Sequence, residues 1–381
     1  MLSLLSSGSF RSEANGPPNG PPNGPRPRGR NCRDRAAGRA CRAVLWGAAL
    51  FAISQFVLRI GIERVRPELR DPTFEIKFRA LSRLRNKSPQ PPATVLFLGS
   101  SMTAHGMKAG MVDEPLSAAL GRPAIGFNMA TSAAGPLTHL LYVQRLLRRG
   151  VRPDMIVLEA SPLLYDYPKA CSDLCRFPPE TLGSGDLETV RRYSSDPDLV
   201  DDWRQAFLVP TYGHRLTILT QSAVAFVPFN DRLELWRDMD THGWRMLSQH
   251  TAEKHQEVLA DVKKHFTERL ERYAVARADR VDLAALRELS ALLVRERIAT
   301  TMVEMPEGPL LRKLYRPEGL AEILSEFRTI AEEHGFQRIE AREDLDEDMF
   351  TDSYHLAAEG AEKLTARVLR EAILPRMSSA R

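Results

Sequence analysis

The sequence predicts an α/β fold: a five-stranded parallel sheet with helices on both faces, one apolar anchor helix before it, and a helical insertion within it. Three observations carry this. Short, continuous apolar runs recur from Ala93 onward, the pattern of strands buried on both sides. Amphipathic stretches separate them, as right-handed crossover connections require. A long apolar run follows directly on an arginine-rich segment near the N-terminus.

Composition narrows the class. The chain has 381 residues, 43% of them apolar and 27% charged, the balance of a globular protein. Its 53 Lys+Arg exceed its 49 Asp+Glu by only four (53 − 49), and much of that excess is N-terminal, so no nucleic-acid-binding face is expected. The four cysteines (Cys32, Cys41, Cys171, Cys175) are too few for a disulfide scaffold. They also lack the paired spacing of a zinc site.

Residues 1–42 read as a disordered, basic tail. NGPPNGPPNGP at 15–25 has nothing to bury, and Arg26, Arg28, Arg30, Arg33, Arg35, Arg39 and Arg42 face a single acid, Asp34. The apolar run over 43–62 follows. Twenty residues at 1.5 Å each span roughly 30 Å, the thickness of a bilayer core, and Arg59 can snorkel to the interface. Positive charge before the run keeps the tail cytoplasmic and exports the rest. No small-residue cleavage site follows in RIGIERVRPELRD, which favours an uncleaved anchor over a cleaved signal or an interfacial helix. Residues 63–92, ending in SPQPP, read as a juxtamembrane linker.

The domain proper spans 93–381. Its expected strands are Thr94–Gly99, Ala124–Ala130, Met155–Ala160, Ile298–Pro306 and Phe336–Ala341. Expected helices include 136–150, opened by Pro136 and closed by Gly150, and the final 357–374. About 165–297 does not fit this rhythm and reads as a helical insertion, a lid or partner surface. The charge run 263–280 reads there as a solvated helix face, and the apolar 222–229 as core or as a face for an acyl chain. His250 and His255 read as surface residues, their spacing being wrong for a helical metal pair. Cys171 and Cys175 suit a small disulfide or two buried thiols equally.

Chemistry concentrates at two strand ends. The first strand runs into Gly99-Ser100-Ser101, which places a serine at the crevice where open α/β sheets bind ligands. Asp352-Ser353-Tyr354-His355 precedes the last helix; a carboxylate three residues before a histidine can orient the imidazole and leave its other nitrogen to take a serine proton. Taken singly, each is as readily a helix cap.

The two together resemble the SGNH, or GDSL-type, hydrolase superfamily over roughly Ala93 to Leu374. The resemblance implies a flavodoxin-like three-layer sandwich, a nucleophile at Ser101, and an acid and base at Asp352 and His355. It further implies a second block at Asn128-Met129-Ala130-Thr131-Ser132-Ala133, with Ala133 at the oxyanion-hole glycine, Gly135 as the alternative donor, and the Ser101 N–H as partner. The third block departs from the family: Glu159-Ala160-Ser161-Pro162 has no asparagine for the oxyanion hole, so Ser161 or a donor from the insertion would have to replace it. Ser-Pro at this place resembles the membrane-anchored branch that handles cell-envelope acyl groups, including D-alanyl transfer to teichoic acid and alginate acetylation. His105 is expected to line the pocket. Asn128 and Ser161 are the expected substrate contacts; Glu304 and Glu307, which bracket the end of the fourth strand near the crevice, suit substrate contact or a solvated loop equally.

The resulting expectation is a serine esterase or O-acyltransferase tethered to a bacterial inner membrane, its domain periplasmic, acting without metal or cofactor on an acylated glycan or small ester. A membrane acyl-transfer partner fits that expectation, and nucleic acid does not. The alternatives are a non-catalytic scaffold of the same fold in an envelope assembly, and a structural anchor whose two motifs coincide by chance.

Overall fold

The computed structural model describes residues 30–165, 178–194, 196–227, 239–247, 250–273 and 280–379; Cys171 and Cys175 lie outside them. The chain divides into a unit ending at Ser54 and a second running from Gln55 to the C-terminus. The described part of the first is helical, within α1 (Arg30–Ile60). Within Ala37–Val65 an 18-residue window has a mean hydropathy of 1.8, and Leu45, Trp46, Leu50 and Phe51 are exposed. The helix is long and apolar enough to cross a membrane.

In the second unit a π-turn (Gly61–Val65) leads to α2 (Pro72–Arg85). The sheet follows: β1 (Ala93–Leu98), β2 (Ala124–Asn128), β3 (Met155–Ala160), β4 (Ala299–Glu304) and β5 (Gln337–Glu340). Its order is β2-β1-β3-β4-β5 and every pair is parallel, the flavodoxin-like order, whose ligand crevice lies between the strand ends of β1 and β3. Helices α3 (Ser101–Gly106) and α4 (Asp113–Leu120) follow β1, and α5 (Pro136–Arg148) follows β2. After β3 come α6 (Ser184–Tyr193), α7 (Leu199–Leu208), α8 (Pro210–Gly213), α9 (Arg215–Ser222), α10 (Ala252–Tyr273) and α11 (Arg280–Arg295). Then come α12 (Pro309–Arg312), α13 (Pro317–His334) and α14 (Ala358–Val368), which passes through a π-turn into α15 (Leu374–Ser379).

The pleat sends alternate residues to opposite faces. Leu96, Leu98, Ile156, Leu158 and Met302 join α5, α11 and α13 in one core; Val95, Phe97, Val157 and Val303 join α4, α14 and α10 in the other. Observed strand ends lie within one or two residues of expectation.

Three expectations change. Residues 63–92 are not a linker: α2 buries Phe74 and Leu81 completely, capped by the Asp71 carboxylate accepting from the Phe74 N–H. The signal was Asp-Pro at a helix start with Phe74, Phe78 and Leu81 at helical spacing. Within 263–280, of which 274–279 lie outside the described residues, α10 buries Phe266 and Leu270, so it is more than a solvated face. The insertion ends earlier than expected because α11 belongs to the sheet's own helical layer, with Leu286, Leu289 and Leu293 packed beside α5. Within 222–229, Val227 is buried while Phe226 is 85% exposed.

Candidate active site

Gly99 and Ser100 turn the chain out of β1 into α3, and Ser101 is the first residue of that helix. Ser100 is the N-cap, its Oγ accepting from the Met102 N–H at 3.2 Å. The register pairs Leu98 with Leu158, which sets Glu159 beside Gly99. The Glu159 carboxylate is buried and accepts four hydrogen bonds: from Ser100 N–H (2.7 Å), Ser100 Oγ (2.7 Å), Thr103 N–H (3.2 Å) and Thr103 Oγ1 (2.6 Å). Burial pushes its pKa up, against the pull of those donors. A Cβ at Gly99 would overlap both the Thr103 hydroxyl and this carboxylate. The strand end where the resemblance leads one to expect an asparagine therefore carries a carboxylate that braces the Gly99–Ser101 turn from below. Its only sequence signal was a lone acid at the end of a buried strand.

Asp352 and His355 sit on a loop closed by a bridge between Phe350 and Leu356 and by Thr351 N–H donating to the His355 carbonyl at 2.9 Å. Asp352 Oδ1 accepts from the His355 N–H at 2.7 Å, and Oδ2 lies 2.6 Å from His355 Nδ1. His355 Nε2 is 2.7 Å from Ser101 Oγ. Between them Ser353 takes the left-handed region, φ 70°, uncommon for a residue with a Cβ. It is held there by Gly308 N–H on its carbonyl (2.7 Å), Leu311 N–H on its Oγ (3.2 Å), and its own donation to Glu347 (3.1 Å). Ser101, Asp352 and His355 all keep partial access to solvent.

Two aromatic neighbours shape the imidazole. Tyr354 lies against it with ring centres 4.0 Å apart, and Phe266 of α10 meets Tyr354 edge-on at 5.4 Å. His255, also on α10, places Nδ1 3.1 Å from the Thr351 carbonyl, so it touches the triad loop instead of standing free on the surface. His105 meets His355 edge-on at 5.2 Å, its Nδ1 2.8 Å from the Arg245 carbonyl. Burial lowers its pKa to about 4, so it sets no second cation beside an imidazolium.

After β2 the chain turns at Thr131–Ala134. Ala133 is exposed at φ 53°, a conformation that suits glycine. Among the described residues neither the Ser101 nor the Ala133 N–H has an acceptor. Gly135 is the buried residue before α5.

The other expected contacts lie elsewhere. Asn128 is fully buried; its amide donates to the Thr103 carbonyl (2.9 Å) and the Met107 carbonyl (2.8 Å), so both its protons hold α3 and none is left for a substrate. Ser161 is also fully buried, its Oγ 3.2 Å from the Met102 sulfur beneath α3, and is not placed to replace the missing asparagine. Glu304 pairs with Arg338 on β5 at 3.0 Å; the pleat turns it, like Met302, away from the face that carries α14. Glu307 is buried in an ion pair with Arg342 (2.6 Å) and accepts from Tyr315 (2.7 Å). Lys77 of α2, unremarked in the sequence, is buried and donates to the carbonyls of Asn128 (2.8 Å) and Gly243 (3.1 Å), with burial lowering its pKa to about 7. Among the described residues no cluster of three or more His, Cys, Asp or Glu is placed to hold a metal ion.

No family model and no curated protein matches this sequence. Among solved structures, the chain is similar to LAE5, an α/β hydrolase enzyme from the metagenome of Lake Arreo, Spain, with a TM-score of 0.30 and 11% identity over 73% of this chain and 94% of that one. It is also similar to a variant of Axe2, an acetyl xylan esterase from Geobacillus stearothermophilus, with a TM-score of 0.31 and 14% identity over the same shares.

Proposed function

We propose that the chain is a serine ester hydrolase or O-acyltransferase of SGNH type, tethered by α1 to the membrane and acting on acyl esters, with an acylated envelope glycan as the preferred class of substrate. The single observation that carries the chemistry is His355 bridging Ser101 Oγ at 2.7 Å and Asp352 Oδ2 at 2.6 Å. Asp352 holds the Nδ1–H tautomer, leaving the Nε2 lone pair for the serine proton.

In the first step Ser101 Oγ attacks the ester carbonyl as His355 takes its proton. The N–H groups of Ser101 and Ala133, both open, receive the oxyanion. The C–O bond then breaks, and His355 protonates the departing alkoxide. In the second step His355 deprotonates water or a sugar hydroxyl, which attacks the acyl-serine; the acyl–Oγ bond breaks, His355 returns the proton to Ser101 Oγ, and an acid or a new ester is released. The same three side chains serve both acceptors. The glycan and the exported side rest on the anchor helix, on its basic flank and on the branch resemblance.

The test is labelling with a fluorophosphonate together with hydrolysis of p-nitrophenyl acetate. Wild type is labelled and turns over; Ser101→Ala does neither. Asp352→Asn folds but loses roughly 10⁴-fold in kcat, the loss expected when the carboxylate no longer sets the tautomer. A folded wild type that resists the probe and spares every acyl ester would overturn the reading in favour of a non-catalytic scaffold.

A further inference from the structure

A cavity lies apart from Ser101 and His355. It has a volume of about 590 Å³ and is lined by six arginines: Arg59, Arg64, Arg70, Arg145, Arg148 and Arg149. Three carboxylates share the lining, Glu63, Glu180 and Asp186, and two more stand behind it. Arg145 is spent on Asp71 and Asp186, and Arg149 is paired with Glu75. Arg59 pairs with Glu63, and Arg70 lies 3.9 Å from Glu75, so six arginines face five carboxylates and leave a surplus of one positive charge (6 − 5). Arg64 is exposed and has no ion-pair partner among the described residues. Arg148 meets only Asp186 through one nitrogen. The N-terminus of α6 opens here, with Gly183 as its N-cap, adding the partial positive charge of a helix start.

Two buried polar atoms in this lining have no hydrogen-bond partner among the described residues: Arg70 Nε and His214 Nδ1. His214 is only 6% exposed, with the Leu69 backbone beside its ring. Burial, with Arg70 close by, lowers the pKa of His214 to about 4, so the ring is neutral at pH 7. An unpartnered donor thus sits near an unpartnered ring nitrogen, and each is costly to leave buried and unfilled. A phosphate oxygen satisfies the first and a hydroxyl, which can donate or accept, the second.

One wall is aromatic. Trp203 stacks on Phe207 with ring centres 5.0 Å apart, and the Arg59 guanidinium covers Phe207 at 3.2 Å. Arg59 belongs to the last turn of α1 and Arg64 to the π-turn after it.

We propose that this cavity binds a phosphate-bearing group that also carries a hydroxyl, of phosphoglycerol type, through Arg64, Arg70, Arg148 and His214. Its source is either a lipid headgroup or a soluble phosphate ester. The lipid source rests on α1 being a membrane anchor, and the binding itself does not rest on the triad.

The experiment uses the full chain in neutral detergent and follows its thermal unfolding midpoint with dioctanoyl phosphatidylglycerol, glycerol 3-phosphate or dioctanoyl phosphatidylcholine. Phosphatidylglycerol raises the midpoint saturably and phosphatidylcholine does not. Arg64→Gln/Arg148→Gln needs about tenfold or more lipid for the same shift, the loss of about one charge-assisted bond. If that double variant is unstable without ligand, Arg64→Gln alone shows the same direction. An equal response to glycerol 3-phosphate assigns the site to a soluble ester; a response to the lipid alone assigns it to the membrane. No shift with either phosphate, or a shift that the arginine variants leave unchanged, overturns the proposal. Ser101→Ala binds as wild type does, so failure here and failure of the esterase reading are told apart.

Discussion

Replacing Glu159 with alanine tests whether the nucleophile turn is held from beneath. The carboxylate accepts four hydrogen bonds from Ser100 and Thr103, all in buried surroundings. Two come from hydroxyls that can turn elsewhere: Ser100 Oγ keeps the Met102 N–H, and Thr103 Oγ1 is 3.8 Å from the Met305 sulfur. The other two come from backbone N–H groups with nowhere to go, each costing about 1–3 kcal/mol when orphaned. Relief of a buried carboxylate's desolvation offsets part of that, leaving a net loss of about 2–4 kcal/mol in unfolding free energy. A turn freed by about 1 Å moves Ser101 Oγ out of line with His355 and lowers kcat about 10²-fold. Glu159→Gln keeps the shape. Its oxygen serves three of the donors, and the Ser100 hydroxyl can accept from its amide, so it loses less than about 1 kcal/mol and about tenfold in rate. Urea unfolding and p-nitrophenyl acetate hydrolysis of the two variants give the answer. If Glu159→Ala keeps both stability and kcat within about twofold of Glu159→Gln, the carboxylate is not a brace and the argument is wrong.

Gly99→Ala carries the same point by sterics: its Cβ overlaps Thr103 and Glu159, so fluorophosphonate labelling slows at least about 10²-fold. Normal labelling would show that the turn can shift freely. The pH dependence follows from His105 and His214, each lowered to about 4 by burial from an unfolded value near 6.5. The unfolded chain binds more protons in that window, so stability is full above 6.5 and is lost as pH falls toward 4, by about 3 kcal/mol per histidine at most. Buried Glu159, Glu304 and Glu307 shift upward and act in the opposite sense, so the test is a difference. Between pH 7 and 4.5, His214→Gln loses less unfolding free energy than wild type, and an equal loss would exclude a neutral, buried imidazole.

Much of this protein could be read locally. A strand covered on both faces must be apolar at every position, so TVLFL, MIVLEA and their fellows stand out without any partner. Ser101, Asp352 and His355 were equally visible, because each sits where short-range geometry dictates: at a strand-to-helix turn, and three residues apart on one loop. The apolar helix, too, is a property of composition alone. What stayed hidden depends on contacts between distant residues. Glu159 becomes a brace only through a register joining segments 59 residues apart. Asn128 reads as a substrate contact until α3 takes both its amide protons, and Ser161 as an oxyanion donor until Met102 covers it. Glu304 reads as facing the crevice until the pleat turns it toward Arg338. Charged residues on α2 and α11 mask how fully the apolar stripes of those helices are buried. A polar group's role depends on which partner satisfies it once water is gone, and that partner is supplied only when the sheet brings the strand ends together.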